Sequence, residues 1–337
     1  MRKSIRAVLA VLALSFAAPA AAQPGGVPLP ERDCQRECLE GFVDRYLQAM
    51  ADGEVDPALF APTARFTENG IELPLGNEGL WATTSAVGNY KFYVPDVETQ
   101  QVAFLGTVME VANSSATGPQ RPPEAVGLSL RLRIEGGRIT EVEQIAARPE
   151  RPLGAGPAPA ASNNPFPATG AAVEAMGSPH AEFLETVPEN ERMSRADLIA
   201  VGDAYFEAVE RNTGKDYYPF SDDCTRFENG IMIAGPPGSG ARTQACRQQL
   251  ETSLIGAVTG IRDRRFVAVD RERGIVFAFA FFDHRPINWT WQLGELFKIE
   301  NNLITRVEAI FIRGPYGVCS GWSTYEQCRS EEIQDVR

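Results

Sequence analysis

Carboxylates and tyrosines, rather than histidines, supply most of the residues of this chain that could carry out chemistry. The chain has 337 residues, with 44 Asp and Glu against 32 Lys and Arg, and only two histidines, His180 and His284. Catalytic zinc sites usually draw on several histidine ligands, so this composition argues against zinc hydrolases. We therefore expect acid–base chemistry by side chains, with no metal and no other cofactor.

Glu295 is the most informative of the carboxylates. In an unbroken strand, alternate residues share one face. On the face of Glu295 the other residues are all apolar: Trp289, Trp291, Leu293, Phe297 and Ile299. Burial among such side chains should raise the pKa of Glu295, which would let it act as an acid or hydrogen-bond donor at neutral pH. The alternative is a glutamate at the rim of a pocket, paired with an arginine.

Three further side chains could act with Glu295. Tyr205 has the spacing of the inner face of a helix, and Glu228 stands just before an Asn-Gly turn signal. His284 follows an aromatic strand and could carry a proton at the mouth of a pocket. Each also has a plainer interpretation: a packed core tyrosine, a solvated strand end and a surface-loop histidine. The aromatic residues that would line the pocket, or simply fill the core, are Phe277, Phe279, Trp289 and Trp291.

These candidates fall in the second of two similar halves. Three short segments of the first half recur in the same order in the second half, which indicates duplication rather than chance. The matched segments are Gly41–Met50 with Ile199–Val209, Arg65–Gly70 with Arg226–Gly230, and Ile139–Ile145 with Ile304–Ile310. At the offset of the third match, 165 residues, Leu130 of the first half stands where the second half has Glu295.

Each half is predicted to begin with a helix and to continue as a sheet. A short strand ends at Glu-Asn-Gly, a second helical stretch follows (around Trp81–Asn89 and Ala241–Ile255), and three or four long strands come last. The long strands of the second half are predicted at Arg265–Asp270, Gly274–Asp283, Ile287–Ile299 and Ile304–Arg313. Helices followed by hairpin-connected strands are typical of α+β domains with an antiparallel sheet.

The N-terminus and the cysteines indicate export from the cytoplasm. The first residues combine a basic start, a short apolar run and a small-residue cleavage site, as in a signal peptide. Six cysteines, an even number, suggest disulfides, and we expect local pairs: Cys34–Cys38, Cys224–Cys246 and Cys319–Cys328. The protein is therefore expected in the periplasm or outside the cell.

The chain is accordingly divided into five segments. They are a signal peptide at 1–22, a first copy at 34–147, a Pro/Ala/Gly-rich linker at 148–193, a second copy at 194–315 and a cysteine-containing tail at 316–337. The formal net charge of −12 would repel nucleic-acid phosphates. No later apolar run is long enough to cross a bilayer. We expect neither nucleic acid nor membrane as a partner.

The order of helix, Glu-Asn-Gly strand, helix and curved meander resembles the SnoaL-like, nuclear-transport-factor-2-like superfamily, which includes ketosteroid isomerase. The resemblance covers most of the chain and implies two tandem cone-shaped α+β barrels, each a curved antiparallel sheet wrapped around helices over an apolar pocket. Ketosteroid isomerase uses a carboxylate base, with a tyrosine and a protonated acid as hydrogen-bond donors. That resemblance assigns the tyrosine to Tyr205 or Tyr46, the base to Glu228 or Glu68, and the donor acid to Glu295.

The opening Cys34–Cys38 helix and the phrase Arg65–Leu73, followed by Gly79–Trp81, also resemble an uncharacterised two-copy family of secreted bacterial and fungal proteins. This second resemblance implies no reaction.

Two functions are consistent with these observations. The first is an exported, cofactor-independent lyase, dehydratase or isomerase that acts on a small hydrophobic or aromatic molecule. In it, Glu228 or His284 would take a proton, while Tyr205 and protonated Glu295 would stabilise the oxyanion. The alternative is a non-catalytic ligand-binding or scaffold module, since one fold hosts many functions. Because the superfamily packs sheet to sheet, we expect a homodimer or an internal pseudodimer of the two copies.

Overall fold

The fold is described from a computed structural model of the chain. The structure describes residues 34–111, 118–149, 169–239, 244–334 and 336. The predicted signal peptide at 1–22 and positions 150–168 of the predicted linker lie outside the described residues.

The first half consists of one long helix packed on a six-stranded sheet. Helix α1 (Arg36–Asp52) turns an apolar face with Leu39, Val43 and Tyr46 into the core. A 3₁₀ turn at Gly79–Ala82 precedes the third strand. The strands are β1 (Phe60–Glu68), β2 (Ile71–Glu72), β3 (Thr84–Asp96), β4 (Gln101–Glu110), β5 (Glu124–Glu135) and β6 (Arg138–Ala147).

The second half repeats this pattern after two short helices. Its long helix begins at a cap in which the Ser194 hydroxyl accepts a hydrogen bond from the backbone N–H of Asp197. The helices are α2 (Thr169–Met176), α3 (Ala181–Leu184), α4 (Arg195–Val209) and α5 (Cys246–Thr252). The strands are β7 (Phe220–Glu228), β8 (Ile231–Ala234), β9 (Gly260–Asp270), β10 (Ile275–His284), β11 (Trp289–Glu300) and β12 (Leu303–Pro315).

Both sheets have the same strand order, β2-β1-β6-β5-β4-β3 in the first half and β8-β7-β12-β11-β10-β9 in the second. The strand that ends at Glu-Asn-Gly runs parallel to the last strand of its half, β1 beside β6 and β7 beside β12. The other neighbours are antiparallel. The chain is therefore a tandem repeat of an α+β unit, and each sheet is mixed rather than purely antiparallel.

Two local predictions differ from the structure. The stretch Trp81–Asn89 is not a helix, because the 3₁₀ turn ends at Ala82 and β3 begins at Thr84. The end of the predicted linker is ordered, since α2 and α3 lie within it. Helix α2 packs on β5, and Val173 and Phe183 of the two helices are buried. These few apolar residues anchor a segment that its Pro- and Ala-rich composition suggested would not pack.

Three apolar clusters hold the molecule together. One lies between α1 and the first sheet, around Tyr46 and Phe104. A second lies between α4 and the second sheet, around Phe206 and Phe297. The third joins the two sheets to each other and includes Phe92, Leu105, Val267, Phe277, Phe279 and Leu296. Each sheet is therefore buried on both faces, which decides where the aromatic residues of β10 point.

The six cysteines form three disulfides, Cys34–Cys38, Cys224–Cys246 and Cys319–Cys328, the same local pairs that the sequence suggested. Disulfides of this number fit an oxidising, extracytoplasmic compartment. Within the described residues, no helix is both long and apolar enough to cross a membrane.

Candidate functional site

A cavity of about 270 Å³ lies between helix α4 and the face of the second sheet that packs against it. Its wall is mostly apolar. The few polar side chains in the wall come from distant parts of the sequence. The lining residues are Tyr205, Val209, Arg226, Glu228, Leu254, Ala257, Val258, Phe282, His284, Trp291, Leu293, Glu295, Ala309 and Phe311. All four predicted catalytic residues and one predicted aromatic, Trp291, are among them.

The deepest polar groups form one hydrogen-bonded chain. Arg226 donates from Nη2 to the Tyr205 hydroxyl at 2.9 Å, and that hydroxyl donates to Glu295 Oε1 at 3.2 Å. The same guanidinium nitrogen contacts Glu228 Oε1 at 2.8 Å, and its Nη1 donates to Gln249 Oε1 at 2.6 Å. The second oxygen of Glu295, Oε2, is buried without a hydrogen-bond partner in the described part of the chain. The chain of donors therefore ends in a carboxyl oxygen that is free for a ligand.

Burial sets the protonation of these groups. The Glu295 side chain is 2% exposed, and burial raises its pKa to about 8, against the opposing effect of the Arg226 charge. Burial also raises the pKa of Tyr205 well above its ordinary value, so the hydroxyl keeps its proton. The pKa of the half-buried Glu228 is raised by burial as well, while Arg226 acts in the opposite direction. At neutral pH, Glu295 is thus mostly a neutral acid beside an ion pair.

His284 lies at the other end of the cavity. Its Nδ1 is 2.7 Å from the carbonyl oxygen of Ala257, and its ring packs edge-on against Trp291 at 6.0 Å between centroids. Burial lowers the pKa of His284 below 6.5, so the imidazole is mostly neutral at pH 7. A carbonyl can only accept, which places the proton of the neutral ring on Nδ1 and leaves Nε2 as an acceptor.

The remaining predicted aromatic residues lie elsewhere. Phe277 and Phe279 belong to the cluster between the two sheets and are not among the residues that line the cavity. The intervening residues of β10 turn towards α4 instead, and Phe282 reaches the cavity. Trp289 is stacked by Arg313, with 4.4 Å from the guanidinium carbon to the ring centroid. The alternation of β10 was visible in the sequence, but both faces are apolar, so alternation alone did not show which face meets the cavity.

Arg226 is the site residue that sequence reasoning missed. In the sequence match, Arg226 corresponds to Arg65. The strand pairing shows a different correspondence, which is shifted by one residue. Glu68 pairs with Gln144 and Glu228 pairs with Ala309, so Arg226 occupies the place of the buried Phe66. The alternation of side chains along β7 could have identified Arg226, because a residue two positions before an inward-facing glutamate also points inward.

In the first half, which lacks the buried acid, the equivalent residues form a hydrogen-bonded group of their own. Tyr46 donates to Gln144 Oε1 at 2.7 Å, and the amide of Gln144 donates to Glu68 Oε2 at 2.9 Å. Glu68 also pairs with Arg148 at 2.8 Å. The polar side-chain atoms of Tyr46, Gln144 and Glu68 therefore all have partners within the protein.

Ala309 explains the space in the second half. It pairs with Glu228 on one side and with Glu295 on the other. At the equivalent point of the first sheet, Gln144 lies between Glu68 and Leu130 and bridges towards Tyr46. Replacing a glutamine by an alanine at this position leaves room between the side chains of two glutamates whose Cα atoms are two strand spacings apart, about 10 Å.

The Asn-Gly pair after each glutamate has a structural role. The side chain of Asn229 accepts from the backbone N–H of Phe311 at 2.8 Å and donates to the Phe311 carbonyl at 3.2 Å. Asn69 makes the same two bonds to Ala146. These bonds hold the ends of the parallel strand pair, and in the second half they hold Phe311 against the cavity.

Within the described ranges, no group of three or more His, Cys, Asp and Glu side chains is placed to hold a metal ion. The site as described can supply an acid, an ion-paired carboxylate and an imidazole acceptor.

Comparison with known proteins gives a family but no activity. A family model described as "Domain of unknown function (DUF8021)" matches residues 32–146 and 191–311, which lie close to the two predicted copies. No curated protein matches the chain. Among solved structures, one described as "Crystal structure of a de novo designed protein with curved beta-sheet" is 16% identical, covers 36% of this chain and 88% of its own, and has a TM-score of 0.27. A likeness at that score supports no argument about fold or function. Because the family model matches most of the chain, in two copies, the protein belongs to the DUF8021 family.

Proposed function

We propose that the second half of this protein is an exported acid–base enzyme, a lyase, dehydratase or isomerase, for a small apolar carbonyl compound. The observation that supports this most is the free Glu295 Oε2 at the bottom of an apolar cavity that also contains Glu228. Two carboxyl groups with different protonation in one water-poor site can act as the acid and the base of one reaction.

The proposed reaction begins with proton abstraction. Glu228 takes a proton from the carbon next to the substrate carbonyl, the C–H electron pair becomes a carbon–carbon π bond, and the π pair of the carbonyl moves to its oxygen. That oxygen accepts a hydrogen bond from protonated Glu295, whose other oxygen is held by Tyr205 and, through it, by Arg226. Returning the proton from Glu228 to another carbon gives an isomer. Returning it to a departing hydroxyl group gives water and a carbon–carbon double bond.

The SnoaL-like cone remains part of this proposal. Its support is the repeated order of a long helix followed by a six-stranded sheet, and a cavity between that helix and the sheet. The first half, in which Leu130 replaces the acid and the polar group is satisfied internally, would serve as a structural partner.

The proposal is tested by hydrogen exchange, which needs no knowledge of the natural substrate. The ketone 2-tetralone is incubated with the protein in D₂O at neutral pH, and loss of the protons next to its carbonyl is followed by NMR. The wild-type protein should accelerate this exchange over buffer. Glu228→Gln should lower the acceleration by about 10²-fold or more, as expected for loss of a general base. Glu295→Leu should lower it by about 10²-fold, as for loss of an oxyanion donor.

The matched control is Glu300→Gln, which changes an exposed carboxylate on the same strand as Glu295. It should exchange 2-tetralone at the wild-type rate. Equal rates for wild type, Glu228→Gln and buffer would overturn the enzymatic proposal.

A specific contact favours the second candidate, a non-catalytic ligand-binding module. The ion pair between Arg226 and Glu228 stabilises the charged carboxylate and makes it a weaker base. If the protein binds 2-tetralone without accelerating exchange, the binding module is the better description.

A further inference from the structure

The two ends of the cavity present opposite hydrogen-bonding characters. At the deep end, Glu295 Oε2 belongs to a neutral carboxyl group and can donate a proton to a ligand oxygen. At the His284 end, Nδ1 donates to the Ala257 carbonyl, so the facing Nε2 of the neutral ring can only accept. Nε2 is buried and has no hydrogen-bond partner among the described residues. An unpaired buried acceptor is costly, and a ligand donor would relieve that cost.

The strand pairing places both ends on one face of the second sheet. His284 pairs with Trp289, which is six residues from Glu295 along β11 and therefore shares its face. The imidazole of His284 also contacts the ring of Trp291, which lies between Trp289 and Glu295 on that face. A ligand that reaches both groups therefore runs along β11.

The wall between the ends is apolar and partly aromatic. This wall is formed by Leu254, Phe282, Trp291, Leu293 and Phe311. Such a wall favours a flat hydrocarbon body and offers no partner for a polar group in the middle of the ligand.

We infer that this site selects a flat, apolar molecule that carries a carbonyl group at the Glu295 end and a hydroxyl or N–H group at the His284 end. His284 is then a specificity-determining residue that accepts the hydrogen bond of the second group. The orientation of the carbonyl rests on the proposed function, whereas the requirement for a donor at the other end rests on His284 alone.

The test uses two ketones that differ in one hydroxyl group, 6-hydroxy-2-tetralone and 2-tetralone. Their dissociation constants are measured by isothermal titration calorimetry with the full-length protein at neutral pH. The wild-type protein should bind the hydroxylated ketone about tenfold more tightly, the gain expected of one buried hydrogen bond. His284→Leu should bind both ketones equally. His284→Gln, which keeps an acceptor oxygen, should restore part of the preference.

The control His180→Leu removes the only other histidine, which caps helix α3, and should keep the wild-type preference. Equal binding of the two ketones by the wild-type protein, or an unchanged preference in His284→Leu, would overturn the inference.

Binding and exchange separate this inference from the proposed function. A His284-dependent preference without accelerated exchange would support the inference and overturn the enzyme. Accelerated exchange without a preference for the hydroxylated ketone would support the enzyme and overturn the inference.

Discussion

Glu295 distinguishes two halves that are otherwise built alike. In the sequence it is a single acid on an apolar strand face, at the position that Leu130 occupies in the first half. In the structure it is buried beside Tyr205. Tyr205, Glu228 and His284 were also predicted, and all of them line the same cavity. Arg226 was not predicted, because its sequence match to Arg65 concealed that it replaces a core phenylalanine. A shift of one residue within a strand reverses the direction of the side chain, and short motifs do not reveal such a shift.

The first prediction concerns the raised pKa of Glu295 and the stability of the protein. The unfolded glutamate loses its proton near pH 4.5, but the folded one holds it until about pH 8. Between these values the folded state binds the extra proton, so stability should fall as pH rises, by at most about 5 kcal/mol for this group. Glu295→Gln cannot ionise and should lack this part of the fall. The variant should therefore gain stability relative to wild type on going from about pH 5 to about pH 8.5.

The measurement is thermal unfolding of wild type and Glu295→Gln across that pH range, followed by circular dichroism. Carboxyl groups that do not interact with Glu295, such as Glu308 with a pKa of about 7, contribute equally to both proteins, so the difference between the two curves reports Glu295 and its interaction with Glu228. Parallel curves would show that Glu295 ionises in the folded protein much as it does in the unfolded one.

At the scale of elements, the sequence predicted the long strands well and the connecting segments poorly. The predicted Ile287–Ile299 and Ile304–Arg313 correspond to β11 and β12 within two residues at each end. The strand β3 was predicted in part as a helix, because Trp81 belongs to a helical turn whose end no glycine or proline marks. Phe277 and Phe279, which were predicted to line the pocket or to fill the core, lie on the face of β10 that is covered by the other sheet.

The second prediction exchanges a cross-strand pair between the halves. In the first sheet Leu130 faces Gln144, and in the second Glu295 faces Ala309. The double substitution Glu295→Leu with Ala309→Gln should fill the cavity and give Tyr205 an amide acceptor, as in the first half. Its free energy of unfolding at about pH 8 should equal or exceed that of wild type, because a buried carboxyl group is removed and the hydroxyl stays paired.

Both single variants serve as controls for the double substitution. Glu295→Leu alone leaves the Tyr205 hydroxyl without its acceptor, so the two changes should couple favourably by about 1–2 kcal/mol in urea unfolding. Simple additivity would mean that the amide does not reach Tyr205. The double variant should also fail to bind 2-tetralone.

At the scale of the whole molecule, the two halves are joined by more than the apolar cluster between their sheets. Arg265 of β9 makes two hydrogen bonds to Glu143 of β6, at 2.6 and 2.7 Å, with both side chains 2% exposed. The tail after β12 also reaches the first half, where the indole of Trp322 donates to Thr67 at 2.7 Å and the guanidinium of Arg65 stacks on its ring. These contacts span about 120 to 255 residues of sequence, so no short motif could have predicted them.

The third prediction follows from the buried ion pair. Arg265→Met removes the bidentate partner of the buried Glu143, which keeps only the longer contact to Arg131 at 3.5 Å, so it should lower the free energy of unfolding by about 3 kcal/mol, whereas Arg265→Met combined with Glu143→Met should recover most of that loss. Because the pair lies between the halves, each variant should still unfold in one transition, seen alike by tryptophan fluorescence and circular dichroism in urea. The exposed Arg271, on the turn after β9, gives the control Arg271→Met, which should change stability by less than about 1 kcal/mol. Two separate transitions, of which Arg265→Met changes only that of the second half of the chain, would mean that the halves fold independently. The interface between the sheets would then contribute little to stability.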